Sequence, residues 1–167
     1  MSSETDDEID VNFAGNVAFL SAVSCKHAWI LDTGATDHIA MNISQFKGLR
    51  KPIASSYVTL PNAHTAEIVG IGDIVLPSGI LLKNALCVPM FKYNLLSISR
   101  LAKDSHIRVV FYDKFCLLQD CANYQIKRIG KETKGLYYLL SLSKSTIQQY
   151  MEQLQVHNQD THCNQPV

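Results

Sequence analysis

One short segment combines residue types and spacing that suit acid–base chemistry: Asp32, Thr33, Gly34 and Ala35 directly follow the apolar run AWIL. An apolar strand that enters a tight turn would present the Asp32 carboxylate at the strand end, with a hydroxyl beside it and a glycine behind it. Two carboxylates that share one proton can hold and activate a water molecule. The 167-residue chain has one such segment, so a pair of them would need a second copy of the chain.

The elements that must position this segment are predicted to be mostly strands. Asp, Thr and Gly are common turn residues, so the tripeptide alone is a weak signal and the rest of the chain has to support it. Short β-rich segments separated by turn signals predict an all-β fold, as a closed barrel or a sandwich. The predicted strands cover residues 28–31, 56–60, 66–71, 74–76, 80–88, 107–112, 115–118, 124–129 and 136–142.

One segment departs from this β pattern. Leu95, Leu96, Ile98 and Leu101 recur near helical spacing and predict a short helix that ends near Asp104. The Lys and Arg residues within 47–51 predict a solvated loop.

The two ends of the chain differ from its body. Residues 1–24 begin acidic and polar and predict a flexible leader, in which residues 17–20 could pair as an edge strand. Residues 25–142 predict one domain. Residues 143–167 predict a helical or disordered tail.

Composition excludes several classes of partner. The formal net charge is zero, so no basic surface for nucleic acid is expected, and no apolar stretch reaches the length of a membrane span. The five cysteines are an odd number and no signal peptide precedes them, so we expect reduced thiols in the cytoplasm. His157, His162 and Cys163 form a late cluster but lack a second cysteine pair, so we expect neither a metal ion nor a cofactor.

Four blocks in order give the chain a family resemblance. It resembles the protease of copia-type LTR retrotransposons, a branch of the retropepsin-like aspartic proteases. The blocks are residues 29–39 (WILDTGATDHI), residues 58–64 with 69–72 (VTLPNAH and VGIG), residues 86–89 with 93–98 (LCVP and YNLLSI), and residues 109–111 with 135–137 (VVF and GLY). The resemblance implies a retropepsin-like closed β-barrel or sandwich with one short helix, active as a homodimer. It also implies that the tail leads toward an integrase.

The resemblance implies a role for each residue of the active-site loop. Asp32 would be the catalytic aspartate, contributed once by each protomer to a dyad that shares one proton. Thr33 would hydrogen-bond across the dimer axis, and Gly34 would accept a hydrogen bond from the substrate backbone through its carbonyl. Ala35 would complete the loop, and residues 94–98 would begin the helix beneath it.

The flap implied by the family would contain Pro61, Asn62, Ala63 and His64, which would close over an extended substrate. Flaps in this family usually carry a glycine at the tip. This chain has Ala63 after Asn62, so the tip is stiffer or the turn is centred on Asn62, which tolerates left-handed backbone.

A second departure concerns an ion pair that braces the loop in retroviral relatives. The matching positions hold Thr36 and Tyr93, so we expect the loop to lack this ion pair and to use an apolar or hydroxyl contact instead. Asp37 then either points into the substrate cleft or caps the loop.

The function implied by the resemblance is an aspartic endopeptidase that processes a Gag-Pol polyprotein in the cytoplasm, within virus-like particles. Its expected partners are a second copy of the chain and polyprotein peptides, with no membrane and no direct nucleic-acid binding. The alternative is a catalytically silent protease-fold module that dimerises or binds peptides. His38 and His64 lack the motifs that accompany a serine or cysteine nucleophile, so a hydrolase of that kind is disfavoured.

Overall fold

A computed structural model describes residues 28–60, 62–143, 145–149 and 152. An α-helix, α1 (Ile98–Ser105), a short helical segment at residues 145–149 and one turn of 3-10 helix at Ile43–Gln45 accompany the strands. The strands are β1 (Trp29–Asp32), β2 (Ile39–Ala40), β3 (Lys47–Arg50), β4 (Tyr57–Thr59), β5 (Thr65–Glu67), β6 (Gly70–Val75), β7 (Leu81–Cys87), β8 (Asn94–Ser97), β9 (Ile107–Phe111), β10 (Phe115–Asp120), β11 (Ile126–Thr133) and β12 (Leu136–Leu139). The predicted all-β class with one short helix is confirmed.

The strands form one large sheet and one hairpin. The ten-stranded sheet has the order β3-β6-β7-β2-β8-β1-β12-β11-β10-β9, and β4 pairs with β5 alone. The described strands include no pairing between β3 and β9 that would close the sheet into a continuous barrel. Residues 145–149 are helical, which agrees with the helical alternative for the start of the tail. The leader, residues 17–20, Pro61 and the cluster of His157, His162 and Cys163 lie outside the described residues.

Two local predictions are wrong. Leu95 and Leu96 belong to strand β8, and the helix begins only at Ile98. An adjacent apolar pair fits a buried strand as well as a helix face, and here pairing with β1 decides in favour of the strand. The segment predicted as a solvated loop contains strand β3, which lies at one end of the large sheet. Charged side chains are common on such edge strands.

Strand β1 occupies the interior of the sheet. It pairs in parallel with β8 and antiparallel with β12, and its residues Trp29, Ile30 and Leu31 are all buried. Strands covered on both faces read as continuous apolar runs, which explains the sequence WIL before Asp32.

The main core lies on one face of β1. Trp29 and Leu31 pack there with side chains of β6, β7, β8, α1 and β10. Its fully buried members include Leu82, Leu96, Leu101 and Leu118. Burial of each such leucine contributes roughly 1.5–3 kcal/mol. A second cluster joins the β4–β5 hairpin to the large sheet, because Ala66 and Ile68 pack against Ile39 and Val88.

The contact between β11 and β10 yields a first prediction. A Cβ atom added at Gly130 would lie 2.5 Å from Cys116 Sγ and 3.4 Å from Leu31 Cδ1. We expect Gly130→Ala to lower the free energy of unfolding by about 1–3 kcal/mol through overpacking, as measured by urea denaturation. Cys116→Ala removes the sulfur, so the double variant is expected to lose less than the sum of the single variants. If the double variant instead lost the full sum of the two single losses in free energy of unfolding, the contact between residue 130 and Cys116 would not determine the packing here.

Candidate active site

Asp32 ends β1 at the point where the chain turns away from the sheet. Its Oδ1 atom accepts hydrogen bonds from the backbone N–H groups of Gly34, at 2.7 Å, and Ala35, at 3.2 Å. The described residues place no donor on Oδ2, and the residue is half-buried. One carboxylate oxygen is therefore fixed by the loop, while the other remains open to a water molecule or a ligand.

Thr33 and Gly34 are exposed at the tip of this loop. Gly34 does not adopt left-handed backbone, and an added Cβ would lie 3.4 Å from Asp32 Oδ1, an ordinary contact. The protomer itself therefore leaves room for a Cβ atom at this position. In the described part of the chain the Thr33 hydroxyl has no hydrogen-bond partner, so its contact across a dimer axis stays a prediction.

Ser97 is the residue that ties the loop to the sheet. Parallel pairing places it opposite Asp32, and its Oγ donates a 2.6 Å hydrogen bond to the carbonyl oxygen of Ala35. The same Oγ accepts from the backbone N–H of Arg100 at 3.3 Å and thereby caps the N-terminus of α1. One buried hydroxyl thus joins strand, loop and helix.

His38 lies behind the loop and is 1% exposed. Its Nδ1 atom accepts a 3.1 Å hydrogen bond from the backbone N–H of Ser97, so the neutral ring carries its proton on Nε2. Burial lowers the pKa of His38 from 6.5 to about 4, and Arg100 acts in the same direction, while Asp104 and Asp37 oppose it. This histidine is a structural partner of the loop, and the described residues give it no hydrogen bond to a serine hydroxyl or a cysteine thiol.

The loop has an ion pair at positions other than 36 and 93. Asp37 Oδ1 lies 3.6 Å from Arg100 Nη1, and Arg100 Nε donates to Asp104 Oδ2 at 2.9 Å. Asp37 Oδ2 also accepts from the Thr36 hydroxyl at 3.0 Å. The arginine of this pair stands on α1, whereas position 93 holds a tyrosine. Asp37 therefore braces the loop against the helix, and a contact of Asp37 with substrate stays a prediction.

The predicted flap is an antiparallel hairpin. β4 and β5 pair from Tyr57↔Glu67 to Thr59↔Thr65, and Leu60 N donates to the carbonyl oxygen of His64 at 2.8 Å. Ala63 adopts left-handed backbone with φ 62°, so the residue at the usual glycine position, rather than Asn62, takes this conformation. Asn62 Oδ1 instead accepts from His64 N at 3.2 Å.

The structure brings together the loop and its support, but it does not join them to the hairpin tip. No hydrogen bond or ion pair within the described ranges links residues 62–64 to Asp32 or Asp37. The hairpin base, through Ala66 and Ile68, packs on β2 beside the loop. Sequence reasoning missed Ser97 and Arg100 as site residues. The serine before a helical segment is an N-cap signal that could have identified Ser97, whereas nothing local marks Arg100.

The support by Ser97 gives a second prediction. Ser97→Ala removes the helix cap and the bond to Ala35, so we expect the free energy of unfolding to fall by about 1–2 kcal/mol. Ser99→Ala is the matched control, because Ser99 is exposed and its one side-chain hydrogen bond among the described residues is to Ser97 Oγ, at 3.2 Å. We expect this control to change stability by less than about 0.5 kcal/mol in urea denaturation. Equal losses in the two variants would contradict the role assigned to Ser97.

The hairpin tip gives a third prediction. A β-branched side chain is strongly disfavoured at positive φ, so Ala63→Val is expected to destabilise the tip by about 1 kcal/mol or more. Ala63→Gly should change stability by less than about 1 kcal/mol, because relief of strain offsets the greater freedom of the unfolded chain. Amide hydrogen exchange at Leu60 measures the local opening. Faster exchange in the glycine variant than in the valine variant would contradict the left-handed assignment.

Other kinds of site find no support in the described part of the chain. It contains no group of three or more metal-binding side chains with suitable placement. Cys87, Cys116 and Cys121 are free thiols, and burial raises the pKa of Cys116 to about 12. No helix among these residues is long and apolar enough to cross a membrane.

Comparison with known proteins finds one family model that matches part of the chain. Residues 29–106 match the family described as "Pol polyprotein, beta-barrel domain". No curated protein and no solved structure matches the chain. The matched range runs from β1 through α1 and therefore contains Asp32, its supporting residues and the hairpin. This match supports a retroelement Pol polyprotein region in this part of the chain.

Proposed function

We propose that the chain is the aspartic endopeptidase of a copia-type LTR retrotransposon, active as a homodimer on its own Gag-Pol polyprotein. The observation that carries the proposal is the state of the Asp32 carboxylate. One oxygen is held by two backbone N–H groups of its own loop, and the other has no donor among the described residues. A second copy of this carboxylate would complete a water-activating pair.

The proposed reaction uses only side chains of the protein and water. Asp32 of each protomer would share one proton, because two adjacent negative charges repel each other. The ionised aspartate would take a proton from the bridging water, and the protonated aspartate would donate to the scissile carbonyl oxygen. The deprotonated water then adds to the carbonyl carbon to give a tetrahedral diol. The C–N bond breaks as the aspartate that took the water proton passes it to the leaving amine, while the other aspartate takes a proton back from a hydroxyl of the diol. No covalent acyl-enzyme is formed.

The other site residues would bind the substrate. An extended peptide would lie between the loop and the β4–β5 hairpin, with Gly34 accepting a hydrogen bond through its carbonyl. The hairpin would act as the lid that excludes water, with Pro61, Asn62, Ala63 and His64 at its tip. Asp37 would add a polar contact at the edge of the cleft while remaining near Arg100.

The proposed location follows from the substrate. A Gag-Pol polyprotein is assembled in the cytoplasm into virus-like particles, where we propose that this domain acts. The proposal needs neither a membrane nor direct contact with nucleic acid.

Cleavage of polyprotein junction peptides provides the fourth prediction. Asp32→Asn preserves size but removes the ionisable group, so we expect kcat/KM to fall at least about a hundredfold. Asp113→Asn is the matched control, because Asp113 is exposed in the turn between β9 and β10. A statine-type mimic of the tetrahedral intermediate should inhibit the wild type, and activity should favour mildly acidic pH. If the wild type binds these peptides but cleaves none, the alternative of a silent binding module is correct.

Mixing experiments test the shared pair of aspartates. When subunits exchange freely, a tenfold excess of the Asp32→Asn variant should leave about one-eleventh of the wild-type chains in wild-type dimers. Activity per wild-type chain should therefore fall by about tenfold. The same excess of Asp113→Asn should raise total activity. Unchanged activity in the first mixture, or full activity of a species that sediments as a monomer, would overturn the homodimer mechanism.

A further inference from the structure

His38 is the one histidine among the described residues that is buried. Its Nδ1 atom accepts from the backbone N–H of Ser97, at 3.1 Å, and its Nε2 atom has no hydrogen-bond partner. The bond at Nδ1 requires the neutral imidazole, because only the neutral ring has a nitrogen that can accept a hydrogen bond, whereas the protonated ring carries hydrogen on both nitrogens.

A short series of bonds connects His38 to the carboxylate. Ser97, whose backbone N–H binds His38, donates through Oγ to the carbonyl oxygen of Ala35 at 2.6 Å. The backbone N–H of Ala35 in turn binds Asp32 Oδ1 at 3.2 Å. Ser97 also stands opposite Asp32 in the parallel pairing of β8 with β1. A shift at Ser97 is therefore transmitted to the position of Asp32.

We propose that His38 is a positioning residue whose neutral imidazole holds Ser97 and the Asp32 loop in place, so that its protonation releases the loop and sets the acid limit of activity. This inference rests on the proposed function, because it concerns the geometry of the same carboxylate. It adds a residue that touches neither substrate nor the reacting water.

The chemistry of the imidazole gives the proposal its direction. A protonated ring carries hydrogen on both nitrogens, so Nδ1 can no longer accept from Ser97. Two donors would then face each other in a buried space, and the backbone N–H of Ser97 would lose its partner. The neutral ring is thus required for the bond that aligns Ser97.

The charged groups around His38 lie on the loop and on α1. Burial is the largest cause that lowers the pKa of His38 to about 4, and Arg100 lowers it further, whereas Asp104 and Asp37 raise it. The unfolded chain takes up this proton near pH 6.5 and the folded chain only near pH 4. The contribution of His38 to stability is therefore complete above pH 6.5 and is lost as the pH falls through this window.

Activity profiles across pH test this role with three variants. Asn places an acceptor oxygen near the position of Nδ1 but does not titrate, so His38→Asn should retain activity at neutral pH and extend it to lower pH. His38→Leu lacks the acceptor and should lose activity throughout. His106→Asn is the matched control, because His106 is exposed in left-handed backbone that Asn tolerates, and it should leave the acid limit unchanged.

The size of the effect follows from the titration of one group. One pH unit below the midpoint of His38, about one-tenth of the molecules keep the neutral ring. Wild-type activity relative to its plateau should therefore be about tenfold below that of His38→Asn at this pH. An identical acid limit in the two proteins would assign that limit to the aspartate pair and overturn the proposal.

A measurement without catalysis separates this inference from the proposed function. The His38 imidazole and the Ser97 amide can be followed by NMR across pH in the inactive Asp32→Asn protein. We expect His38 to titrate near pH 4. We also expect the protection of the Ser97 amide, relative to its intrinsic exchange rate at each pH, to fall with the same midpoint. Titration near the ordinary value of 6.5, or an amide that ignores the titration, would overturn the positioning role. This readout decides the role even if no peptide is cleaved.

Discussion

Parallel pairing of β1 with β8 places Asp32 beside Ser97, and the geometry of the loop that follows Asp32 depends on this alignment. The alignment is fixed by burial, because a shift by one residue would turn Trp29 and Leu31 away from the main core. It also brings the start of α1 under the loop, since the helix begins directly after Ser97. The apolar packing of β1 thus determines where a carboxylate and a hydroxyl meet. The hydrogen bonds around Asp32 add orientation to a position that the core has already set.

Polar groups beneath the loop supply that orientation. Asn94, Ser97 and His38 are all buried, and Asn94 Oδ1 accepts from the backbone N–H of Met41 at 3.0 Å. Buried polar groups add little net stability compared with apolar side chains of similar size, yet each bond is expensive to break without a replacement. This asymmetry favours one arrangement of the loop over others of similar compactness. The Nε2 atom of His38 has no hydrogen-bond partner among the described residues, so no acceptor at that nitrogen would stabilise a protonated ring.

Sequence reasoning predicted the parts of this site that are local in the chain. The WIL run followed by Asp32 and Gly34 indicated a buried strand that ends in a turn, and the family resemblance implied the hairpin. The parts that depend on distant partners were not predictable in this way. Ser97 and His38 meet across 59 positions, and only the strand pairing brings them together. Leu95 and Leu96 were assigned to a helix because two adjacent apolar residues fit both periods, and their burial against β1 cannot be read from spacing alone.

The bracing of the loop within one protomer changes what dimerisation has to do in the proposed mechanism. Without an ion pair, Thr33 and the partner subunit would have to hold the loop as well as complete the aspartate pair. Asp37 and Arg100 instead attach it to α1, and Ser97 attaches it to β8. Both side chains of the ion pair are partly exposed, so the pair itself contributes at most about 1 kcal/mol and acts mainly by restricting geometry. A loop that is already ordered gives up less conformational entropy on association. Dimerisation then has to supply chiefly the second carboxylate, and its strength can be adjusted without loss of the active-site geometry.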